Sequence, residues 1–431
     1  MRFGVFYEQQ LPKPWGPGDE QRLFNESLEQ IRLADRLGVD YLWAAEHHFL
    51  DEYSHCSASD LLLAAAAATT RNIKIGLGIR QVIANYNHPA RTAEVVATLD
   101  LISNGRVQFG IGEGATRLEL GGFGIPAKQK RAMALEAAEQ IANMMVMEPY
   151  PGFEGESFSM PCRNVLPKPV QKPHPPMWMA CTSRETIKVA ARLGLGVLAF
   201  SFIDPEEALH WSRIYYDIIK SDECVPLGHT VNANIAMTTG FSLHHDHDEA
   251  VARGQLNFDF FSYAMSALIR EEIKPGRTNL WEDFLKSRDK LTSPEIEEAV
   301  LGTIEGSLRV TPGIGTPAEF IEHVRELEAS GVDQVIFVQQ AGRMKHEHIC
   351  HSLELFATDV LPHFAEERAA KEARKREELA PYIEAAMKRK KFMEPLRDED
   401  IPVVLPSRPK LTEVIAADGK AQDEQAKAVS S

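Results

Sequence analysis

Short apolar segments alternate along most of the chain with longer segments in which apolar residues recur at helical spacing. Eight of the short segments are rich in β-branched and aromatic residues, and they lie at positions 2–7, 40–45, 73–79, 105–111, 176–181, 196–200, 232–242 and 333–338. One helical segment places Leu23, Ile31 and Leu37 near one face and ends at Gly38, a residue typical of a helix C-terminus. Strands that alternate with helices predict βα units and a parallel sheet.

Two α/β folds fit this alternation, an open doubly wound sheet and a closed barrel. A doubly wound sheet that binds a dinucleotide carries a glycine-rich fingerprint directly after its first strand. Here residues 7–20 read YEQQLPKPWGPGDE, which is rich in proline and lacks that fingerprint. Together with the count of eight strands, this favours a (β/α)8 TIM barrel.

Two segments exceed what a minimal barrel needs. Residues 148–175 are rich in Pro and Gly and predict an excursion with a short hairpin. Residues 243–315 are long enough to hold two or three extra helices. Since barrels commonly grow by insertion at their catalytic end, we expect one barrel domain at 1–365 that carries both insertions.

A charged helical run begins after about residue 365, and we treat residues 366–431 as a tail. Its first part has few apolar positions, namely Ala369, Ala370, Ala373, Leu379, Ile383 and Met387. Two interpretations stay open at this point. Either these positions let the helix lie along its own or a partner's barrel, or the helix is solvated; in both cases we expect disorder at the end of the chain.

The composition of the chain indicates its cellular location and excludes some classes of binding partner. The chain of 431 residues has 47 basic and 62 acidic residues, and its formal charge of −15 disfavours nucleic acid and anionic membranes as partners. The five cysteines are scattered without a Cys-x-x-Cys pair, which suits a reducing cytoplasm. The first residues lack a secretory pattern, and the apolar segment at 61–70 is too short to cross a bilayer. We expect a cytoplasmic protein.

Titratable side chains gather just after the second predicted strand, where Glu46, His47 and His48 follow one another. Catalytic groups of a parallel barrel lie at the C-terminal ends of its strands. Adjacent residues of an extended chain point to opposite sides, so the two histidines make a poor chelate and we predict no metal site. We assign His48 a structural role beside Glu46, and His47 is the acid/base candidate because a free imidazole titrates near pH 6.5.

Two other strand ends carry candidate binding groups. Gly110, Gly112 and Gly114 follow one another at alternate positions after the fourth strand and would let a flat ring or a phosphate approach the backbone. Thr182 and Ser183 end the fifth strand at a helix start, where free N–H groups and hydroxyls bind phosphate, although they also suit a plain helix cap. Both interpretations of the second site stay open on these residues alone.

A set of ordered motifs resembles the bacterial luciferase-like flavin-dependent monooxygenase family. They are FGVFYEQQ, YLWAAEHHF, NHPARTAEVVATLDLISNGRVQFGIGEG, KRAMALEAAEQI, GTPAEFIEHVRELEASGVDQVIF and HICHSLELFATDVLPHF. The resemblance extends from residue 1 to about 365. It implies an enzyme that binds reduced FMN at the barrel mouth and uses O2 to oxygenate a small organic substrate through a flavin C4a-(hydro)peroxide.

The resemblance also implies roles for particular residues. It places the catalytic histidine at His47 and the phosphate site at Thr182, Ser183 and Arg184. It places the backbone that faces the flavin ring at the end of the third strand, including Gly78 and Gln81, and at Gly112, Glu113 and Gly114. The luciferases carry a cysteine and an arginine where this chain has Gly112 and Glu113, so light emission and long-chain aldehyde specificity are not carried over. Glu113 would also repel a phosphate.

A dry apolar pocket is needed for this chemistry, and Phe200 and Phe202 are candidates to line it, whereas Trp43 and Trp178 fit ordinary barrel packing better. Because the chain shows no dinucleotide fingerprint, the resemblance implies a separate NAD(P)H:flavin reductase that supplies the reduced FMN. It further implies a homodimer or larger homo-oligomer. Two alternatives stay open, a deazaflavin-dependent oxidoreductase on the same barrel and a non-catalytic flavin-binding subunit.

Overall fold

The computed structural model of the protein describes residues 1–288, 311–408 and 415. In chain order, its strands are β1 Arg2–Tyr7, β2 Tyr41–Ala44, β3 Lys74–Gln81, β4 Val107–Gly112, β5 Tyr150–Glu154, β6 Ser159–Arg163, β7 Met177–Cys181, β8 Gly196–Ala199, β9 Ile235–Gly240, β10 Ser242–Leu243, β11 Ile314–Gly315 and β12 Gln334–Val338. Eight of these strands close a parallel barrel in the order β1, β2, β3, β4, β7, β8, β9, β12. All eight coincide with predicted strands, so the predicted (β/α)8 barrel is confirmed.

Helices follow the barrel strands. They are α1 Asp19–Leu37, α2 Ser59–Thr69, α3 Pro89–Ile102, α4 Arg117–Gly122, α5 Lys130–Val146, α6 Arg184–Arg192, α7 Pro205–Ile219, α8 His247–Arg270 and α9 Leu280–Arg288, and then Pro317–Ala329, His346–Leu355 and Pro362–Arg389. We call the last of these the tail helix. Helix α1 ends at Gly38, whose φ of 86° is the left-handed conformation that glycine adopts without strain. No helix in the described ranges has both the length and the apolar composition needed to cross a membrane.

Alternation along the barrel strands separates two apolar layers. In β1, Phe3, Val5 and Tyr7 pack against the surrounding helices, whereas Phe6 belongs to the barrel interior. Trp43 and Trp178 fill that interior, with ring centroids 5.4 Å apart in an edge-to-face arrangement. Both tryptophans are buried, and each contacts a glycine of a neighbouring strand, Gly76 for Trp43 and Gly196 for Trp178. They pack the barrel, as the sequence had indicated.

The second insertion extends the apolar core of the barrel interior beyond the barrel itself. Helices α8 and α9 add Phe258, Phe260, Phe261, Trp281 and Phe284 to the cluster that contains Trp43 and Trp178. Glu52 fastens α9 in place, because its Oε1 accepts hydrogen bonds from the backbone N–H of Trp281 at 3.1 Å and of Lys13 at 2.7 Å. The loop that follows β2 therefore holds the insertion over the barrel. Residues 289–310 of the predicted insertion lie outside the described residues.

The first insertion holds a two-stranded antiparallel hairpin, β5 with β6, as the sequence had predicted for this excursion. Glu136 of α5 anchors its turn by accepting hydrogen bonds from the backbone N–H groups of Glu156 and Ser157, both at 2.9 Å. The hairpin lies outside the barrel wall and adds no strand to it.

The tail helix packs on its own barrel, across the N-terminal ends of the strands. Asp40, at the start of β2, accepts hydrogen bonds from Arg2 at 2.6 Å, from Arg368 of the tail helix at 3.0 Å and from the backbone N–H of Phe3 at 3.0 Å. Lys375 pairs with Asp333 in the same way at the start of β12. These ion pairs and hydrogen bonds tie the tail helix to the bottom of the barrel.

The face that docks differs from the one the sequence indicated. Leu379 and Ala386 are buried, and Ile383 packs against the core from a half-buried position. Three of the apolar positions predicted to make contact, Ala369, Ala370 and Ala373, are exposed instead. Because the barrel presents charged groups at this end, charged residues of the tail helix make the first half of the contact. Residues 409–414 and 416–431, where disorder was expected, lie outside the described residues.

We expect Asp40→Asn to lower the free energy of unfolding by about 1–3 kcal/mol, because it leaves two guanidinium groups without their shared carboxylate at a site where that carboxylate is only 9% exposed. Urea unfolding measures this. The matched control is Asp222→Asn. Asp222 is a fully exposed partner of Arg389 of the tail helix, so its replacement should change the free energy of unfolding by less than about 0.5 kcal/mol. Equal effects of the two substitutions would contradict the anchoring role of Asp40.

Candidate active site

His47 lies at the C-terminal mouth of the barrel, three residues after the end of β2. Its backbone N–H donates to the carbonyl of Cys56 at 3.1 Å, which folds the following loop back over the strand end. Alternation from Trp43 through Ala45 directs the His47 side chain toward the barrel axis. The side chain is 19% exposed, so it is accessible from the mouth but shielded from most solvent.

Both ring nitrogens of His47 face buried carboxylates. Nδ1 lies 2.9 Å from Oε1 of Glu119, which follows β4, and Nε2 lies 3.3 Å from Oε1 of Glu8, which follows β1. The Glu119 carboxylate is itself held by the hydroxyl of Thr116 at 2.9 Å and by the backbone N–H of His48 at 3.2 Å. His47 is thereby fixed between two acids from two other strand ends.

The electrostatics of these three groups follow from their burial and their closeness. Burial alone would lower the pKa of His47, but the Glu8 and Glu119 carboxylates outweigh it and raise that pKa from 6.5 to about 9. Burial raises the pKa of Glu8 to about 7 although His47 opposes the shift. Burial also acts to raise the pKa of Glu119, but its hydrogen bond with His47 and the further donors hold that pKa below its usual value. Both carboxylates thus favour the cationic form of His47.

His48 occupies a separate, structural position. Its Nε2 lies 3.1 Å from Oε1 of Glu46, as the sequence had indicated, and its ring packs edge-on against Phe123. Glu46 also accepts hydrogen bonds from the side chain of Asn87 at 2.8 Å and from the backbone N–H of Gln81 at 3.3 Å. The Glu46 carboxylate thus joins the ends of β2 and β3 and engages Nε2 of His48.

The end of β3, predicted to face a flavin ring, departs from regular strand geometry. The Gly78–Ile79 peptide bond is cis, and the register against β4 shifts between Leu77 and Arg80. The Gln81 side chain donates to the carbonyl of Glu46 at 3.4 Å, and its buried Oε1 has no hydrogen-bond partner among the described residues. An unpaired buried acceptor at the barrel mouth suits a ligand that brings its own N–H donor.

The end of β4 carries cations that the sequence analysis did not anticipate. The Glu113 carboxylate pairs with Arg131 at 2.9 Å and with Lys130 at 3.3 Å, both from the start of α5. Burial acts to raise the pKa of Glu113, but these two cations outweigh burial and lower it. Lys130 also donates to the carbonyl of Gly114 at 2.6 Å. The expected repulsion between Glu113 and a phosphate is therefore compensated by two neighbouring positive groups.

The end of β7 forms a capped helix start. Ser183 caps α6 in a reciprocal capping box with Thr186, and the backbone N–H groups of Thr182 and Ser183 both donate to the Thr186 hydroxyl at 3.1 Å. Arg184 points to α7, where it pairs with Glu207 and is 54% exposed. Arg131 instead lies close to Cys181, the residue before this turn, and its charge acts to lower the pKa of the Cys181 thiol, although burial outweighs it.

Three residues that the sequence analysis missed thus belong to the candidate site, namely Glu8, Glu119 and Arg131. Glu8 follows β1 just as Glu46 follows β2, so the rule that locates catalytic groups at strand ends would have found it. The Thr116-x-x-Glu119 spacing matches a capping box and gave only a structural signal. Arg131 lies inside a helical segment, and nothing in its local pattern distinguishes it. Among the described residues, no group of three His, Cys, Asp or Glu is placed to hold a metal ion.

This fold and site place the chain in a known class of enzymes. The family model described as luciferase-like monooxygenase matches residues 1–334, and the chain belongs to that family. It is 26% identical to the oxygenase component of flavin-dependent trigonelline monooxygenase from Acinetobacter baylyi, over 85% of this chain and 97% of that protein. It is 25% identical to an alkanal monooxygenase alpha chain of Photorhabdus luminescens, over 85% of this chain and 99% of that protein. The predicted family is confirmed, and with it membership of an oxidoreductase class.

Solved structures give the same fold. A monooxygenase from Streptomyces bottropensis matches with a TM-score of 0.67 at 25% identity, over 85% of this chain and all of that one. The oxygenating constituent of 3,6-diketocamphane monooxygenase from Pseudomonas putida, solved with FMN, matches with a TM-score of 0.64 at 19% identity over 84% and 98%. A coenzyme F420-dependent tetrahydromethanopterin reductase of Methanopyrus kandleri matches with a TM-score of 0.58 at 22% identity, over 84% of this chain and 99% of that one. The last two likenesses concern the barrel alone.

Removal of the Glu119 carboxylate should change how stability depends on pH. The folded-state pKa of His47, about 9, exceeds the 6.5 of a free imidazole, so its protonation stabilises the fold fully below pH 6.5 and this contribution is lost as the pH rises through about 9. Glu119→Gln lowers the His47 pKa. The stability gap between wild type and variant should therefore shrink between about pH 6 and pH 9.5, by roughly 1.4 kcal/mol for each pKa unit lost.

Urea unfolding at the two pH values measures that gap. The control is Glu20→Gln, which removes an exposed carboxylate beside His55 and should change stability by less than about 0.5 kcal/mol at either pH. A gap for Glu119→Gln that stays constant or widens toward high pH would show that His47 is neutral in the folded protein.

Proposed function

We propose that the protein is an FMN-dependent monooxygenase that uses reduced FMN and O2 to oxygenate a small organic substrate. The observation that carries this proposal is His47, a shielded imidazolium held between two buried carboxylates at the mouth of a luciferase-like barrel. Proton transfer at a protected site is what flavin-based oxygenation requires of a protein. The name of the trigonelline relative, a flavin-dependent oxygenase component, supports a flavin as the cofactor.

The residues present fit a flavin phosphate chemically. The turn at Thr182 and Ser183 offers hydroxyl groups and a helix start, and Arg131 supplies positive charge near the preceding residue, Cys181. Arg184 remains part of the proposed phosphate site, although the structure engages it with Glu207. Its contribution would require exchange of that partner.

The flavin ring would lie against the backbone that the resemblance indicated. Gly78 and Gln81 border it at the end of β3, and Gly112, Glu113 and Gly114 border it at the end of β4. Gly114 has a φ of 76°, and an added Cβ would lie 2.6 Å from the hydroxyl of Tyr86, so a side chain is excluded there. When bound, reduced FMN would supply the two electrons that activate O2.

His47 would hold and transfer the proton that this reaction needs. Glu119 fixes its Nδ1, which orients the ring and leaves Nε2 as the nitrogen that exchanges protons. A positioned acid/base group of this kind typically contributes a factor of 10²–10⁴ in rate. Because the side chain is only 19% exposed, few water molecules can contact it.

The substrate would meet an aromatic wall. Phe202 packs against Phe258 at 4.7 Å and Phe261 at 6.1 Å, and Tyr53 links Phe261 to His47 with centroid distances of 5.6 and 5.8 Å. Phe200 lies beside this wall and contacts Phe6 at 4.8 Å. These side chains would exclude water and favour an apolar substrate. A separate NAD(P)H:flavin reductase, a homodimer or larger homo-oligomer, and a cytoplasmic location complete the proposal.

Anaerobic titration with reduced FMN and reduced riboflavin tests the phosphate site. We expect FMN to bind about tenfold or more tightly, since hydrogen bonds to charged groups each contribute roughly 1.5–3 kcal/mol. Arg131→Gln should remove most of this difference, and Arg184→Gln should remove less because its side chain is exposed and paired elsewhere. Equal affinities for the two flavins would contradict the site, and tight binding of a deazaflavin coenzyme alone would establish that alternative.

Replacement of His47 tests the chemistry. His47→Ala should leave the affinity for reduced FMN within about threefold but lower the product formed per reduced flavin by about 10²-fold, with hydrogen peroxide released instead. Product and peroxide are measured together during turnover with externally reduced FMN. The matched control is His48→Ala, which perturbs Glu46 but should keep coupled turnover.

The substrate screen should include aldehydes, ketones, aromatics and sulfur compounds. Full coupling in His47→Ala, or loss of coupling only in His48→Ala, would show that the acid/base role is assigned to the wrong residue. Absence of product with every substrate class would favour a non-catalytic flavin-binding subunit.

A further inference from the structure

Glu8 is a buried acid for which the fold provides almost no compensation. Its side chain is 3% exposed, and it lies directly after β1, where strand alternation turns it toward the barrel interior. In the described part of the chain, the one basic group within ion-pair distance is His47, with Nε2 3.3 Å from Oε1. That contact does not reach hydrogen-bond geometry, and Oε1 has no other partner among the described residues.

The groups around Glu8 make its negative charge unfavourable. Glu119 lies on the other side of the same imidazole and adds a second negative charge. Tyr53 and Cys56, from the loop after β2, also face Glu8, and the Ser54 hydroxyl lies near its carboxylate. Glu46 adds a further carboxylate close to His47. Glu46 is paired with the Arg80 guanidinium at 3.6 Å, so His47 is left to compensate Glu8 and Glu119 in a site that is closed to most water.

The hydrogen-bond donors decide which acid keeps its charge. Glu119 receives a hydroxyl, a backbone N–H and the Nδ1–H of His47, all of which stabilise a carboxylate. Glu46 receives an amide side chain and a backbone N–H. Among the described residues, Glu8 Oε1 receives no such donor, and the Ser54 hydroxyl is the neutral donor near the carboxylate. A buried carboxyl group with so few donors is more stable when it is protonated.

We propose that Glu8 is a proton reservoir for His47, sharing a proton with its Nε2 and restoring the imidazolium after His47 has given its proton to the reaction. This inference rests on the function proposed above. In that reaction, reduced FMN, O2 and substrate become oxidised FMN, oxygenated substrate and water. Both hydrogens of the reduced flavin end in the water molecule, so at least one has to be moved as a proton to the departing oxygen.

The geometry suits such a relay. Nδ1 of His47 is committed to Glu119, so proton exchange runs through Nε2, and Glu8 is the titratable group beside that nitrogen. Glu8 acts through His47, and we therefore class it as a positioning residue. The raised pKa of Glu8, about 7, agrees with a group that holds its proton at neutral pH and releases it to a nearby base.

Infrared and NMR spectroscopy of the flavin-free protein test the proton sharing directly. We expect a protonated carboxyl C=O band at pH 6 that disappears as the pH is raised to about 8, that is absent in Glu8→Gln, and that persists in the control Glu113→Gln. Glu113 lies at the same barrel mouth but is paired with two cations, so it should not contribute to the band. In Glu8→Gln, the ¹⁵N NMR titration of His47 should move to lower pH.

Turnover gives the second measurement. The yield of product per reduced flavin should fall in wild type as Glu8 ionises near pH 7, whereas Glu8→Gln should lack this pH step and give about tenfold less product at pH 6. Glu8→Asp keeps the carboxyl group and should restore both the infrared band and part of the yield. This variant also tests the proposal if Glu8→Gln fails to fold.

Two results would overturn the proposal: a carboxyl band that Glu8→Gln leaves in place, or a His47 titration that Glu8→Gln does not shift. Both are measured without flavin, so they decide whether Glu8 and His47 share a proton independently of any oxygenation. Absence of product from wild type with every substrate would instead count against the proposed function.

Discussion

The burial of charge at the barrel mouth is the constraint on which the candidate site depends. His47 can lie in a shielded position as a cation because Glu119 and Glu8 stand on either side of its ring. The buried charge of Glu119 is stabilised in turn by His47 and by donors from the loops, whereas Glu8 has His47 as its one basic neighbour among the described residues. The orientation of His47 and its raised pKa both follow from this arrangement. A change in any one of the three groups therefore alters the protonation of the other two.

The two ends of the barrel use charge differently. At the mouth, acids from different strand ends converge on one imidazole and leave its remaining proton available. At the opposite end, Asp40 and Asp333 are fully engaged by Arg2, Arg368 and Lys375, and these pairs hold the tail helix against the strand starts. The tail helix is thus distant from the mouth, in agreement with the general separation of stability and catalysis between the two faces of such barrels.

Family membership and the geometry of the site support different parts of the functional argument. The match over residues 1–334 establishes the luciferase-like monooxygenase family, and the shared barrel extends to enzymes that use either FMN or a deazaflavin. Because unrelated chemistries occur on one fold, the cofactor has to be argued from the site. There, the Thr182–Ser183 turn with Arg131 close to Cys181 favours a phosphate, and the aromatic wall around Phe202 favours an apolar substrate.

The sequence by itself determined the barrel, because each strand and helix follows from a local pattern of apolar residues that needs no distant contact. It also located His47, since the end of a strand can be recognised along the chain. Tertiary structure alone decided which groups surround it: Glu119 is 72 positions away in the sequence, and Glu8 belongs to another strand. The docking face of the tail helix was likewise hidden, because its partners are charged groups that only barrel closure brings together. Local periodicity encodes elements, whereas the protonation of a buried site depends on distances between residues that are remote in sequence.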